Sequence, residues 1–154
     1  MMTSLCEQVL HALKGKTLAT AESCTGGGIG AAITGVSGSS VVYKGGIISY
    51  QNEVKRDLLG VSEQDLNSVG AVSALVAEQM AVGARKALGS DVAVSVTGLA
   101  GPGGDAFGNP VGTVYIGYAD EIVAFAKEYH FVGDRDDVRH QAIECALQLI
   151  LEKN

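Results

Sequence analysis

The chain has 154 residues, 47% hydrophobic and 18% charged, with a formal net charge of −6. One ordinary domain, 1–154, is expected from that length; the composition excludes a disordered chain, and the acidic balance excludes a broad basic face for nucleic acid. Cys6, Cys24 and Cys145 are far apart with no Cys-x-x-Cys pair, no cationic leader opens the chain and no stretch approaches about 18 apolar residues, which points away from a disulfide framework, a zinc site and a membrane and toward the reducing cytoplasm.

Taken in order, Leu5, Val9, Leu10 and Leu13 recur at helical spacing over 4–14, behind a Ser4 cap, and Gly15 ends that helix. Residues 17–22, small and β-branched, read as a buried strand. The run Gly26-Gly27-Gly28 leads into a helix over 29–36, which Ser37-Gly38-Ser39-Ser40 interrupts. A strand is expected over 45–50, then a short helix from Asn52 to Leu59 stopped by Gly60, and a capping pattern Ser62-x-x-Asp65 opens another. The longest periodic helix is 73–88, with Leu75, Val76, Met80, Val82, Ala84 and Leu88 expected inward. An apolar strand over 91–97 runs into Gly98-Leu99-Ala100-Gly101-Pro102-Gly103-Gly104. Segments 111–118 and 122–131 read as an antiparallel pair around Ala119-Asp120-Glu121, and a helix over 136–151 closes the chain. This alternation predicts a three-layer α/β/α sandwich with a mixed, mostly parallel sheet.

In such sheets ligands gather at the carboxyl ends of strands, beside helix N-termini. Two segments have that character, 22–28 and 97–104. In the first, Ser23 would stand at a helix mouth, with the N–H groups of about Thr25 to Gly27 facing an oxyanion or phosphate. Ser23 and Thr25 could equally serve only as helix caps, and the second segment could be a plain strand-exit turn. A serine nucleophile needs a base. His11, His130 and His140 fall on a first helix, an outer strand and a last helix, away from either glycine-rich segment in sequence. Lysine is the other option: Tyr50 ends a strand and Lys55 comes one turn into the next helix, so both could point over the same sheet edge as Ser23. A desolvated lysine can accept the serine proton, although most lysines on short helices are simply solvated.

Together these segments resemble the CinA C-terminal domain family, whose stand-alone members are nicotinamide mononucleotide deamidases. The matching pieces are Ala21-Glu22-Ser23-Cys24-Thr25-Gly26-Gly27, the run Gly46-Ile47-Ile48-Ser49-Tyr50-Gln51-Asn52-Glu53-Val54-Lys55, Val69-Gly70-Ala71-Val72-Ser73, Thr97 to Gly104, and Phe131-x-Gly133-Asp134-Arg135. They follow the family's order and span nearly the whole chain. Two departures are mild: Gln51 stands where a small hydroxyl residue is common, and Leu99 where Ile is usual.

The resemblance implies hydrolysis of nicotinamide mononucleotide to nicotinic acid mononucleotide and ammonia, without metal or cofactor, by Ser23 assisted by Lys55 and Tyr50. It raises Thr97 as a polar contact and Arg135 or Arg139 as the cation near the substrate phosphate. The hydroxyls and amides of Ser39 and Ser40 are further phosphate donors, and Thr25, Gly26, Gly27, Gly46 and Gly101 complete the expected substrate contacts. For Arg135, a salt bridge to Asp134, Asp136 or Asp137 is the competing assignment. A homodimer is expected, as is the absence of the N-terminal domain that larger members carry. Two rival readings stay open: a non-enzymatic nucleotide-binding module, which would need no Ser-Lys-Tyr set, and an amidase for another small amide.

Overall fold

The computed structural model describes residues 2–154. Helix α1 (Met2–Ala12) buries Leu5, Cys6 and Val9, the i, i+4 stripe of an amphipathic helix. Strand β1 (Leu18–Glu22) is buried throughout and passes into α2 (Gly28–Thr34). After a 3₁₀ turn at Ser39–Val41 come β2 (Tyr43–Ile48), α3 (Asn52–Leu59), α4 (Glu63–Ser68) and α5 (Ala74–Leu88). The chain ends with β3 (Val92–Gly98), β4 (Thr113–Ala119), β5 (Ala124–His130) and α6 (Arg135–Lys153).

The strand order is β2-β1-β3-β4-β5. Strand β1 pairs in parallel with β2 and β3, while β4 is antiparallel to both its neighbours. Four of the five strands therefore point one way, yet the four pairings divide evenly between parallel and antiparallel. The one reversed strand, β4, lies between β3 and β5 and makes both antiparallel pairings. The strand expected over 45–50 begins and ends two residues earlier, because its ladder to β1 starts at Tyr43.

Alternation along β1 sorts the side chains between the two faces. Leu18 joins the cluster formed with α1, α2 and α6, whereas Ala19 and Ala21 join the one beneath α3, α4 and α5. The second face is built for close approach. Ser95 Oγ donates to Ala77 O of α5 at 2.6 Å, and a Cβ added at Gly117 would lie 2.2 Å from that same carbonyl. On its other side α5 meets the end of α3, where a Cβ on Gly83 would lie 1.9 Å from Leu59 O. Small residues (Ala77, Ala81, Gly83, Ala84) thus form the buried side of α5 together with Val76 and Met80. Leu75 and Val82, expected inward, are 42% and 38% exposed instead. Seven residues apart, they share a flank of α5 beside its small-residue side.

The contact at Gly83 sets the height of α3 above the sheet. Gly83→Ala should destabilise the fold by about 3 kcal/mol, since the rigid Cβ would meet the Leu59 backbone and α3 must shift. Urea unfolding of the two proteins measures this; an unchanged midpoint would show that the helices part freely.

Candidate active site

Strand β1 ends at Glu22, and the next residue, Ser23, continues its ladder by donating its N–H to Val96 O at 3.0 Å. Ser23 therefore stands at the carboxyl edge of the parallel half of the sheet, 8% exposed, on the wall of a cavity of about 470 Å³. Helix α3 starts just after β2, and its buried residues are Lys55 and Leu59, four apart on one face. That spacing directs Lys55 inward beside Leu59. Lys55 is 1% exposed, and its Nζ donates to Ser23 Oγ at 3.1 Å, to Ser49 O at 2.6 Å and to Tyr50 O at 3.2 Å. No carboxylate forms a salt bridge with it among the described residues. Burial pulls the ammonium down from its ordinary 10.5 to about 8, with Cys24 opposing weakly. The neighbouring Cys24 thiol is pushed up to about 11 by its own burial, which keeps it protonated and unreactive.

Glu22 carries a role not expected from the sequence. Its side chain is 2% exposed, and its Oε1 accepts from Thr25 Oγ1 at 2.7 Å and Ile29 N at 2.9 Å, while Oε2 accepts from Gly30 N at 3.0 Å. The carboxylate thereby occupies the first free amides of α2 and pins the turn behind Ser23. The helix mouth is therefore filled from within rather than open to a substrate anion. Of the amides expected to face an anion, that of Gly26 donates to Ser23 O at 3.1 Å. Those of Thr25 and Gly27 have no partner among the described residues. Ser49 also escaped the sequence reading: its N–H and hydroxyl both donate to Glu22 O, at 2.7 and 3.3 Å, and its carbonyl holds Lys55. A carboxylate closing an otherwise buried small-residue strand was the available signal for Glu22; Ser49 offered none beyond its place before Tyr50.

The remaining expected residues divide by position. Thr97 and Gly101 line the cavity, although the Thr97 hydroxyl is engaged with Ala71 O at 2.9 Å. Tyr50 lines it too, but its hydroxyl touches neither Ser23 nor Lys55: it accepts from Arg135 Nη2 at 3.3 Å, and only its carbonyl reaches Lys55. Arg135 spans the mouth, its Nη1 donating to Gly101 O at 2.8 Å, and forms no salt bridge with the neighbouring aspartates. Arg139 lies behind the site, its Nε donating to Cys24 O at 3.0 Å and its Nη2 to Thr25 O at 3.3 Å, so its donors brace the turn. Thr25 is wholly buried with its hydroxyl on Glu22, and Gly26 and Gly27 take positive φ in that same turn, away from the cavity. Ser39 and Ser40 precede β2, which runs parallel to β1, and so lie at the opposite end of the sheet from Ser23. Gly46 faces Thr20 and Tyr43 beneath α2, where a Cβ would lie 2.2 Å from Thr20 Oγ1. No histidine lines the cavity, and no group of three or more metal-ligating side chains occurs among the described residues. No helix there is long and apolar enough to cross a membrane.

Fold and site together define a three-layer α/β protein with a buried serine–lysine pair at the carboxyl edge of its sheet. The CinA C-terminal domain model matches residues 2–154, and the chain belongs to that family. A CinA-like protein of Nostoc punctiforme is 46% identical over 99% of this chain and 37% of its own length. One from Acaryochloris marina is 52% identical over 87% of this chain and 32% of its own. The chain thus spans about a third of the length of the curated relatives it matches. Among solved structures, a competence-damaged protein (CinA) superfamily protein from Klebsiella pneumoniae has a TM-score of 0.96 at 33% identity, covering 99% of this chain and 97% of its own. The competence/damage inducible protein CihA from Agrobacterium tumefaciens reaches 0.94 at 36% identity, covering 98% and 94%.

Glu22→Ala would leave one buried amide, one half-buried amide and one buried hydroxyl without their acceptor. A loss of about 3 kcal/mol in chemical unfolding at neutral pH is expected. A loss below about 1 kcal/mol would mean that water replaces the carboxylate and that it does not hold the turn.

Proposed function

We propose that this chain is a nicotinamide-nucleotide amidohydrolase, converting nicotinamide mononucleotide and water to nicotinic acid mononucleotide and ammonia. One observation carries the reading: Lys55 Nζ sits 3.1 Å from Ser23 Oγ, buried, with no acidic partner. A neutral amine has two N–H donors and one lone pair. Two carbonyls, Ser49 O and Tyr50 O, stand ready for the donors. The lone pair is then left for the Ser23 O–H, which is the alignment of a general base.

In the proposed reaction Lys55 takes the hydroxyl proton as Ser23 Oγ attacks the carboxamide carbon. The tetrahedral oxyanion needs donors; of the turn after Ser23 only Cys24 lines the cavity, and its amide, which has no backbone acceptor among the described residues, is the nearest candidate. Lys55 then returns its proton to the amide nitrogen, the C–N bond breaks, and ammonia leaves an ester on Ser23. Water attacks that ester, giving up a proton to Lys55, and collapse returns the proton to Ser23 and frees the carboxylate. Because the Tyr50 phenol is on Arg135, the proton passes directly between Ser23 and Lys55, and Tyr50 contributes its carbonyl. Arg135, at the mouth with no carboxylate partner, is the cation for the phosphate, and its planar fork suits that group. A binding module would have no use for a desolvated lysine on a serine. An amidase for another small amide would share the mechanism and differ only in what fills the cavity.

Ammonia release measured with nicotinamide mononucleotide, nicotinamide riboside and nicotinamide separates these readings, the mononucleotide being the expected substrate. Ser23→Ala should lose about 10³-fold or more in turnover with an unchanged circular dichroism spectrum. Lys55→Arg should not restore what Lys55→Ala removes, because guanidinium stays protonated. Full activity in either Ser23→Ala or Lys55→Arg would overturn the assigned chemistry.

The pH dependence has a definite sign. Lys55 must be neutral to accept a proton, so kcat/KM should rise with pH through a midpoint near 8 and level off above it. A profile flat from pH 6 to 9 would remove Lys55 as the base.

A further inference from the structure

One large side chain on the cavity wall is used neither by the core nor by the proposed chemistry. Phe107 lines the same cavity as Ser23 and Lys55, is 48% exposed, and belongs to neither buried cluster. It rides on the loop between β3 and β4, flanked by Ala106 and Gly108, where a solvated residue would suffice. Yet the loop is tied down around it. Asp105 Oδ1 accepts from the Phe107 and Asn109 N–H groups, both at 3.1 Å, and Asp105 Oδ2 accepts from Asn109 Nδ2 at 2.7 Å. Asn109 Nδ2 also donates to Val72 O at 3.3 Å, which fastens the loop to the segment after Gly70. These bonds hold the Asp105 carboxyl below its usual range despite some burial.

The ring itself rests on Gly70. A Cβ there would lie 2.6 Å from Phe107 Cδ2, so the absent side chain is what lets the ring lie against the backbone. Ala71, Val72 and Leu99 continue this apolar wall, while Arg135 and Tyr50 form the polar part of the lining. An immobilised, half-exposed aromatic face beside a nucleophile is a surface for a flat ring, and such pairs add about tenfold in affinity beyond the area they bury.

We propose that Phe107 is a specificity-determining residue of this site, the surface on which the planar heteroaromatic ring of the substrate stacks while its carboxamide reaches Ser23. This rests on the amidohydrolase reading for the identity of the amide, but the stacking contact is testable without turnover. The Ser23→Ala protein is titrated by calorimetry with nicotinic acid mononucleotide, with nicotinamide, and with ribose 5-phosphate, which has the phosphate and no ring. Adding Phe107→Ala should weaken both ring-bearing ligands about tenfold and leave ribose 5-phosphate unchanged. Adding Phe107→Trp in its place should restore the loss. In the active protein, Phe107→Ala should raise KM about tenfold with kcat within twofold.

Ring-bearing ligands that fail to bind, or that bind equally well to the Phe107→Ala protein, overturn the stacking assignment, and so does an equal weakening of ribose 5-phosphate. Absence of ammonia release from the wild-type chain with ring-dependent, Phe107-dependent binding retained would instead overturn the reaction and leave the stacking contact standing.

Discussion

An amine buried to 1% exposure with no carboxylate in reach is the constraint around which the parallel half of this molecule is arranged. Lowering its pKa from 10.5 to about 8 corresponds to about 3 kcal/mol by which burial disfavours the charged form. The structure offsets that with fixed dipoles rather than with a counter-ion. Ser49 O and Tyr50 O can aim at Nζ only because β2 is registered on β1 and Ser49 is tethered to Glu22 O. Glu22 in turn turns its carboxylate to the opposite face, onto α2. A single residue of β1 therefore fastens Lys55, through Ser49, from its backbone and the turn after Ser23 from its side chain.

The same dependence reaches outward through packing. Lys55 keeps its depth because Leu59, one turn later, is buried and its carbonyl abuts Gly83. Helix α5 keeps its height because the sheet offers it alanine, serine and glycine beneath Ala77. Larger residues at those positions would raise α5, and α3 with it, away from Ser23. The hairpin of β4 and β5 serves a different end, covering α5 on one side and α6 on the other.

Elements whose residues carry a strong period or an unambiguous stop were legible in the sequence. Gly60 and Gly89 end α3 and α5 in the left-handed conformation, and Ser62 and Ser73 cap α4 and α5 with their hydroxyls. The inward face of α5 was misread at Leu75 and Val82 because hydrophobicity alone does not distinguish a helix that buries small residues for close approach from one that buries large ones. Ser23, Lys55 and Tyr50 were recognisable by residue type and order, but not their contacts. Whether the Tyr50 phenol or its carbonyl faces Lys55 depends on which way a strand-end side chain turns, and Arg135 is what holds it outward. The different settings of Arg135 and Arg139 likewise appear only with α6 in place: four residues apart, they share a helix face, yet one meets the mouth of the cavity and the other the back of the turn. Ser39, Ser40 and Gly46 lay near the site only in sequence, since a parallel strand returns its preceding residues to the far edge of the sheet.

Because Glu22 already occupies the amide end of α2, that dipole cannot serve as the electrostatic trap for an incoming anion. In the proposed reaction that duty falls on Arg135, which is exposed, whereas Lys55 and Ser23 are buried. At physiological ionic strength the screening length is about 8 Å, so attraction exerted through water by Arg135 is weakened by dissolved salt, while the proposed exchange between buried Ser23 and Lys55 is screened much less. In the proposed reaction, capture and bond breaking therefore respond separately to the medium: salinity governs how readily the nucleotide is held, and acidity governs how fast it is cleaved.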